Sequence, residues 1–139
     1  MIKELVTDEA ILSTPCAAAT ADDAELAQDL IDTMNANEDA VCLAANQIGV
    51  TKALFAYTDE SETAHVMYNP KVLFGLGAQK LQESCMTRDG MAKVTRFIKI
   101  KVTFDELVEG ELKSRKRDFV GWEAQMIQHM VDHCAGKLV

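Results

Sequence analysis

The segment Gly121–Cys134 limits the fold more than any other part of the chain, because apolar side chains cover most of its circumference when it is drawn as a helix. One face carries, at 4-3-4 spacing, Trp122, Met126, His129 and His133. The neighbouring face repeats part of this spacing with Ile127, Met130 and Cys134. A helix that is apolar around most of its circumference is buried. We therefore expect the rest of the chain to fold around this helix.

The middle of the chain predicts strands. Residues 53–57 and 64–68 are short apolar runs, and Asn69-Pro70 ends the second run. Arg88-Asp89-Gly90 is a turn signal. Within residues 98–104, apolar side chains alternate strictly with lysine and threonine. Such alternation buries one face of a strand and leaves the other in water, which predicts an antiparallel sheet.

A further helix and the length of the chain complete the predicted fold. Apolar residues recur at helical spacing within Ala24–Ala36, and Asp22 or Asp23 stands where an N-cap belongs. The chain has 139 residues, 48% of them hydrophobic, which is enough for one buried core. We therefore predict a single α+β domain over residues 1–139, with antiparallel β-sheets packed around the buried helix that carries His129 and His133.

The charge of the chain excludes one class of partner. The formal net charge is −8, which repels nucleic-acid phosphates, so we expect no DNA binding. The basic residues within 113–117 are interpreted as a solvated strand edge or loop, with contact to ribosomal RNA as the alternative. Residues 1–15 have no unbroken apolar run, which predicts no membrane span, no signal peptide and a cytoplasmic protein with reduced cysteines.

Two of the three histidines are candidate metal ligands. His129 and His133 stand four positions apart, so on a helix their imidazoles point the same way and can bind one ion, unless they are core histidines satisfied by hydrogen bonds. An open catalytic site needs a third ligand, for which Cys85 is the candidate, with an inert core thiol as the alternative. Gln47 offers an amide donor to a developing oxyanion, or is a buried amide satisfied by backbone.

Three segments, in their order and spacing, resemble the motifs of the peptide deformylase family. They read AVCLAANQ at residues 40–47, ESCMT at 83–87 and QHMVDH at 128–133, where the family has GxGLAAxQ, EGCLS and QHExDH. Further matching positions are Asn69-Pro70, Arg96 and Gly136-Lys137-Leu138. The resemblance therefore covers nearly the whole chain.

The resemblance implies a metal-dependent hydrolysis. Family members remove the formyl group from the N-terminal methionine of new proteins, so a formyl-methionyl peptide is the implied ligand. Their metal is Fe²⁺, replaceable by Zn²⁺, Ni²⁺ or Co²⁺, and the matching ligands here are Cys85, His129 and His133. The metal acidifies a bound water that attacks the formyl carbon. Gln47 and the backbone N–H of Met86 are the implied oxyanion donors.

The catalytic glutamate of the family is absent from its position. Met130 stands there, directly after the first histidine of the motif. A thioether has no titratable proton, and general acid–base help is worth about 10²–10⁴ in rate. Asp132 matches the family's own aspartate and Glu83 is expected to pair with Arg96, so neither replaces the missing base. We therefore expect weak or absent deformylase activity.

The implied substrate-binding residues also depart from the family pattern. Those implied to pair with the peptide backbone are Val41, Cys42 and Leu43. Those implied to line the methionine pocket are Trp122, Gln125 and Met126. Cys42 replaces a glycine, and its Cβ is expected to narrow the approach of the peptide. An indole and an amide stand where aliphatic residues are expected, so the pocket is expected to be smaller or to prefer another ligand.

Three functions stay open. The leading hypothesis is a metal-binding deformylase homologue with weak or lost activity that binds formyl peptides or another small acyl ligand. The first alternative is an active deformylase that uses metal-bound hydroxide without a protein base. The second is a structural Cys₂His₂ zinc site with a non-catalytic binding role, in which Cys42 is the fourth ligand. Cys42 can also form a disulfide with Cys85 under oxidation, or simply fill space.

Overall fold

Neighbouring strands in the sequence are neighbours in the sheet. The computed structural model describes all residues, Met1–Val139. Its strands, all antiparallel and in sheet order, are β1 Cys42–Ala44, β2 Leu54–Thr58, β3 Ala64–Cys85, β4 Arg88–Val108 and β5 Glu111–Val120. The α-helices are α1 Glu9–Leu12, α2 Ala24–Ala36 and α3 Gly121–Cys134, with 3₁₀ turns at Ala21–Asp23 and Ala45–Ile48. No helix has the length and apolar character needed to cross a membrane. The predicted α+β class is confirmed.

The two longer helices occupy their predicted segments and pack on opposite faces of the sheet. The core on the α3 face includes Phe55, Met67, Ile100, Ile127 and Met130. The core on the α2 face includes Leu30, Met34, Leu43, Leu54 and Tyr68. Successive strand residues belong to different cores because strand side chains alternate between the two faces. The alternation gives each face of the sheet its own core, and α3 is buried in the core on the face where the candidate site lies.

Gln128, a buried polar residue of α3, fixes this helix against β4. Its Oε1 accepts a hydrogen bond from Phe97 N at 2.9 Å, and its Nε2 donates to Phe97 O at 2.9 Å. Pairing of β4 with β5 stops at Lys99, so the side-chain amide satisfies backbone groups that have no neighbouring strand there. The helix is thereby held at one rotation relative to the sheet.

The second apolar run does not end at Asn69-Pro70, so this prediction is wrong. The strand continues as β3, across a register shift between Tyr68 and Lys71. Asn69 has a φ of 51°, and its side chain bonds to the backbone N and O of Ala19 at 2.8 and 2.9 Å. A bulge leaves backbone groups unpaired in the ladder, and proline is therefore tolerated within a long strand.

The turn after β3 lies at Met86-Thr87, and the prediction of a turn at Arg88-Asp89-Gly90 is wrong. Cys85 pairs with Arg88, so the predicted turn residues begin β4. Gly90 has a φ of 80° and lies at a register shift, where glycine adopts this conformation without steric cost. The Arg88-Asp89-Gly90 segment therefore marks a bulge near the start of β4, and Cys85 is the last residue of β3.

The basic residues within 113–117 lie on β5, at the edge of the sheet, and are exposed, as predicted. Lys113 pairs with Glu111 at 2.9 Å, and Arg115 pairs with Glu106 at 3.3 Å. Exposed pairs of this kind contribute little to stability.

Candidate metal centre and cleft

Three side chains from two elements converge at the end of β3. Cys85 Sγ and one ring nitrogen each of His129 and His133 all lie within 4.8 Å of one another. Cys85 Sγ is 3.4 Å from His133 Nε2, and the two imidazole centroids are 4.8 Å apart. The spacing of the histidines places both rings on one face of α3. The fold thus brings together the three residues that the sequence predicted as metal ligands.

This donor set fits a divalent transition metal. Burial raises the pKa of the Cys85 thiol, but hydrogen bonds with His129, His133 and Thr87 outweigh burial and lower the pKa to about 5. The thiolate, which metal binding requires, is therefore the stable form at neutral pH. Thiolate and imidazole are ligands for zinc and iron-group ions, and three protein ligands leave a coordination position for water or substrate.

Glu83 selects the tautomer of His129. Its Oε1 lies 2.8 Å from His129 Nδ1, and a carboxylate can only accept, so Nδ1 carries a proton and Nε2 is the nitrogen whose lone pair becomes available when the imidazole is neutral, as metal binding requires. Burial lowers the pKa of His129, but hydrogen bonds with Cys85 and Glu83 raise it to about 9. The imidazole therefore lies between two negative side chains, a setting that favours a cation.

Arg96 holds Glu83 from the side away from the metal ligands. Its Nη2 is 2.8 Å from Glu83 Oε1, and its Nη1 is 2.7 Å from Asp132 Oδ2. Gln125 Nε2 donates to Glu83 Oε2 at 2.9 Å. Burial raises the pKa of Glu83, but hydrogen bonds from His129, Arg96 and Gln125 lower it to about 2. The predicted pairing of Glu83 with Arg96 is confirmed, and both carboxylate oxygens are occupied.

Gln47 directs its amide nitrogen toward the metal ligands. Its Oε1 accepts from Ala44 N at 2.9 Å, so Nε2 faces the other way. Nε2 lies 3.3 Å from Cys85 Sγ and 3.2 Å from Thr87 Oγ1. The fold thus places an amide donor beside the thiolate. Its role in binding an oxyanion stays a prediction.

A cleft of about 510 Å³ opens in front of the ligands. The predicted substrate-binding residues that line it are Val41, Cys42, Trp122, Gln125 and Met126. Leu43 does not line it, because its side chain faces the opposite side of β1 and is fully buried against α2. For Leu43, only a contact through the backbone stays a prediction.

Two predicted catalytic positions, Met86 and Met130, also line this cleft. The Met130 side chain is only 2% exposed and packs in the core on the α3 face. The wall that contains Cys85 and His129 therefore carries an apolar thioether where the family has its base. The backbone N–H of Met86 stays a predicted oxyanion donor.

Two carboxylates line the cleft, and neither is a free base beside the ligands. Both oxygens of Glu83 accept hydrogen bonds from other side chains. Asp39 is exposed and does not belong to the group of side chains that surrounds the metal position. The structure thus places no free carboxylate among the side chains that surround the candidate metal position.

Cys42 lies in the cleft wall but outside the ligand group. All four cysteines are free thiols. Burial raises the pKa of the Cys42 thiol, and the charges of Cys85 and Glu83 raise it further, to about 12. Because Cys42 is outside the group of donor atoms that lie within 4.8 Å of one another, the geometry favours three protein ligands over four.

Three supporting roles were not predicted from the sequence. Thr87 lies 3.2 Å from both the Cys85 thiol and the Gln47 amide, Glu83 orients His129, and Gln128 anchors α3. A signal for one of them was present. Glu83 stands two residues before Cys85 on β3, the spacing at which side chains of a strand share a face.

Three protein ligands beside an open cleft are the arrangement of a catalytic metal site, which leaves a coordination position for water or substrate. The sequence profile of the polypeptide deformylases matches residues 2–139 of the chain. A peptide deformylase from Clostridium beijerinckii is 36% identical over 140 residues, an alignment that covers 100% of both chains. The chain belongs to the peptide deformylase family.

Solved structures of the family share this fold. A peptide deformylase from Thermus thermophilus superimposes with a TM-score of 0.86 at 26% identity, over 99% of this chain and 84% of that one. A peptide deformylase from Acinetobacter baumannii with bound Met-Ala-Ser gives a TM-score of 0.84 at 25% identity, over 99% and 97% of the respective chains. The strand order and the buried helix are thus features of a fold that these proteins have in common.

Proposed function

We propose that this protein binds a divalent metal ion and N-formyl peptides, and hydrolyses these peptides weakly or not at all. The observation that carries the proposal is Met130, whose buried thioether lines the cleft beside Cys85 and His129. The ligands are kept while the group that would move protons is absent. Metal binding and catalysis are therefore separated in this protein.

The chain's own residues supply binding and orientation. A metal ion held by Cys85, His129 and His133, expected to be Fe²⁺ with Zn²⁺, Ni²⁺ or Co²⁺ as replacements, supplies Lewis-acid chemistry when bound. Glu83 keeps the proton of His129 on Nδ1, away from the metal. Gln47 directs an N–H toward the place where negative charge develops on the formyl oxygen. Met130 can neither accept the proton of a nucleophilic water nor pass it to the leaving amine.

The cleft suits the end of a peptide. The deformylase from Acinetobacter baumannii was solved with Met-Ala-Ser bound, which supports the same class of ligand here. In this chain the cleft walls include apolar side chains on both sides of the ligands, among them Cys42, Met86 and Met126. A volume of about 510 Å³ lies within the range of small-molecule sites.

The test measures formate released from an N-formyl-methionyl peptide by the metal-loaded protein. Restoring a carboxylate with Met130→Glu is expected to raise the rate about 10²–10⁴-fold, the usual contribution of general acid–base catalysis. Met130→Gln is the matched control. Glutamine has the length of glutamate and is also polar, but it is not a base, so this variant should not raise the rate. Robust turnover by the wild type, equal to that of an active Met130→Glu variant, would overturn the proposal.

The intact thiolate and the oriented Gln47 amide favour a second candidate, an active deformylase without a protein base. In that case Gln47→Leu should lower the residual turnover about 10²–10³-fold, the usual loss on removing an oxyanion donor. Loss of the turnover in Asp39→Asn would instead identify Asp39 as a replacement base. Residual turnover that neither variant changes would exclude both explanations.

A further inference from the structure

Gln125 presents an unused hydrogen-bond acceptor to the cleft. Its Nε2 donates to Glu83 Oε2 at 2.9 Å, and the carboxylate has no proton to give. Reversing the amide would place two acceptors against each other, so Oε1 faces away from Glu83. Oε1 accepts no hydrogen bond within the protein and is not among its buried unpaired polar atoms, so it is accessible. Because Gln125 lines the cleft, its accessible Oε1 is an acceptor available to a ligand bound there, and the bond from Nε2 to Glu83 fixes the orientation of the amide.

The acceptor is rigid because its anchor is rigid. Glu83 also accepts hydrogen bonds from Arg96 at 2.8 Å and from His129 at 2.8 Å, so it cannot move with Gln125. A polar group held by such support loses little freedom when a ligand binds to it. Gln125 can therefore discriminate between ligands that do and do not carry a donor.

The position of Gln125 sets which part of a ligand reaches it. Gln125 stands four residues before His129 on α3, one helical turn or about 5.4 Å along the axis. A peptide whose formyl group lies at the metal ligands would bring its first side chain to this distance. Met126 and Cys42 line the same cleft, so this side chain would be flanked by apolar groups.

Methionine does not match this surface fully. Its thioether has no hydrogen to donate, so a methionine side chain would cover Oε1 without pairing it. An acceptor that loses water without gaining a partner disfavours binding. A glutamine side chain has nearly the same length and carries two N–H donors.

We propose that Gln125 is a specificity-determining residue, and that this cleft prefers N-formyl peptides whose first side chain ends in a hydrogen-bond donor, such as glutamine, over those that begin with methionine. The inference rests on the proposed function, because it requires a formyl peptide to bind in this cleft. It goes beyond that function by assigning a substrate preference to one side chain.

The experiment uses the only tryptophan of the chain as its probe. Trp122 lines the cleft and is 47% exposed, so its fluorescence reports ligand binding there. N-formyl-Gln-Ala-Ser and N-formyl-Met-Ala-Ser are titrated separately into the metal-loaded protein. The fluorescence is read immediately after mixing. The glutamine peptide is expected to bind about tenfold more tightly, the size of one hydrogen bond kept or lost.

A matched pair of variants tests the role of the acceptor. Gln125→Leu is expected to abolish or reverse the preference, whereas Gln79→Leu, at an exposed position of β3 outside the cleft, should retain it. If Gln125→Leu weakens metal binding through Glu83, both peptides lose affinity equally, so the ratio of the two dissociation constants isolates the acceptor.

The outcomes separate this inference from the proposed function. Wild-type affinity for the methionine peptide equal to or above that for the glutamine peptide overturns the inference alone. A preference that Gln125→Leu leaves unchanged also overturns it, because another residue must then be responsible. If neither peptide changes the fluorescence and neither is hydrolysed, both the inference and the proposed function fail.

Discussion

The two sides of the metal centre differ in how closely they follow the family pattern. Behind the ligands, the support network of Glu83, Arg96 and Asp132 is complete, and each charged group has a partner. In front, the cleft wall carries Met130 and Gln125 at positions where the resemblance predicts a base and an aliphatic residue. The support network orients the candidate ligand His129, whereas the cleft wall is the surface that the proposed peptide ligand would contact. The difference predicts that holding a metal and moving a proton depend on separate residues, which the following variants test.

Removing the cation of the support network should have the largest effect on the free energy of unfolding. Arg96→Met leaves Glu83 and Asp132 buried or half-buried without their partner, and breaking a buried pair costs about 3–5 kcal/mol. Arg115→Met, which breaks the exposed pair with Glu106, should cost at most about 1 kcal/mol. Urea denaturation of the metal-free proteins measures both values. Equal losses in the two variants would show that the support network adds no special stability.

A smaller effect is expected when the support network keeps its shape but loses its charge. Glu83→Gln weakens the acceptor for His129 Nδ1, and the loss of such a partner lowers metal affinity about 10–100-fold. Competition with a chromophoric chelator measures this affinity. Glu106→Gln, at an exposed carboxylate far along β4, serves as the control. Unchanged metal affinity in Glu83→Gln would mean that the support network stabilises the fold without tuning the ligand.

The smallest effect is expected at Thr87, which lies between the support network and the cleft wall. Its hydroxyl contacts Cys85 and Gln47, and Thr87→Val removes both contacts at nearly constant volume, at a cost of about 1 kcal/mol in unfolding free energy. Thr103→Val, at a half-buried position of β4 away from the cleft, should cost less. Thermal unfolding of the two variants measures these losses in stability, and metal analysis of the same samples shows whether each variant keeps its metal. Loss of the metal from Thr87→Val would show that the hydroxyl belongs to the support network.

Local periodicity was a sound guide to the helices and a weaker one to the strands. α2 and α3 occupy their predicted segments because helical hydrogen bonds form within the segment itself. β3 extends well beyond the predicted residues 64–68, because a strand continues wherever a neighbouring strand offers partners. Asn69-Pro70 and Gly90 were interpreted as breaks, but both lie at register shifts within paired strands.

Prediction of the site succeeded for side chains with distinctive chemistry and for the pairing of Glu83 with Arg96, but it missed the other supporting contacts. Cys85, His129 and His133 were identified as ligands from residue type, spacing and motif, and the structure brings them together. The bond from Gln125 to Glu83 was not foreseen, because these residues are far apart in the sequence and neither type is rare.

The sequence by itself determined which atoms are available: a thiol, two imidazoles one helical turn apart, and a thioether in place of a base. These are properties of residue type and of local spacing, which no fold can alter. Only the tertiary structure decided which way each group faces. It turned Leu43 into the core, the Gln47 nitrogen toward the thiolate and the Gln125 nitrogen toward Glu83. Leu43 faces the core because side chains of a strand alternate between its two faces. The two amides are oriented by hydrogen bonds between distant segments, because a buried polar group must find its partner wherever the fold places one.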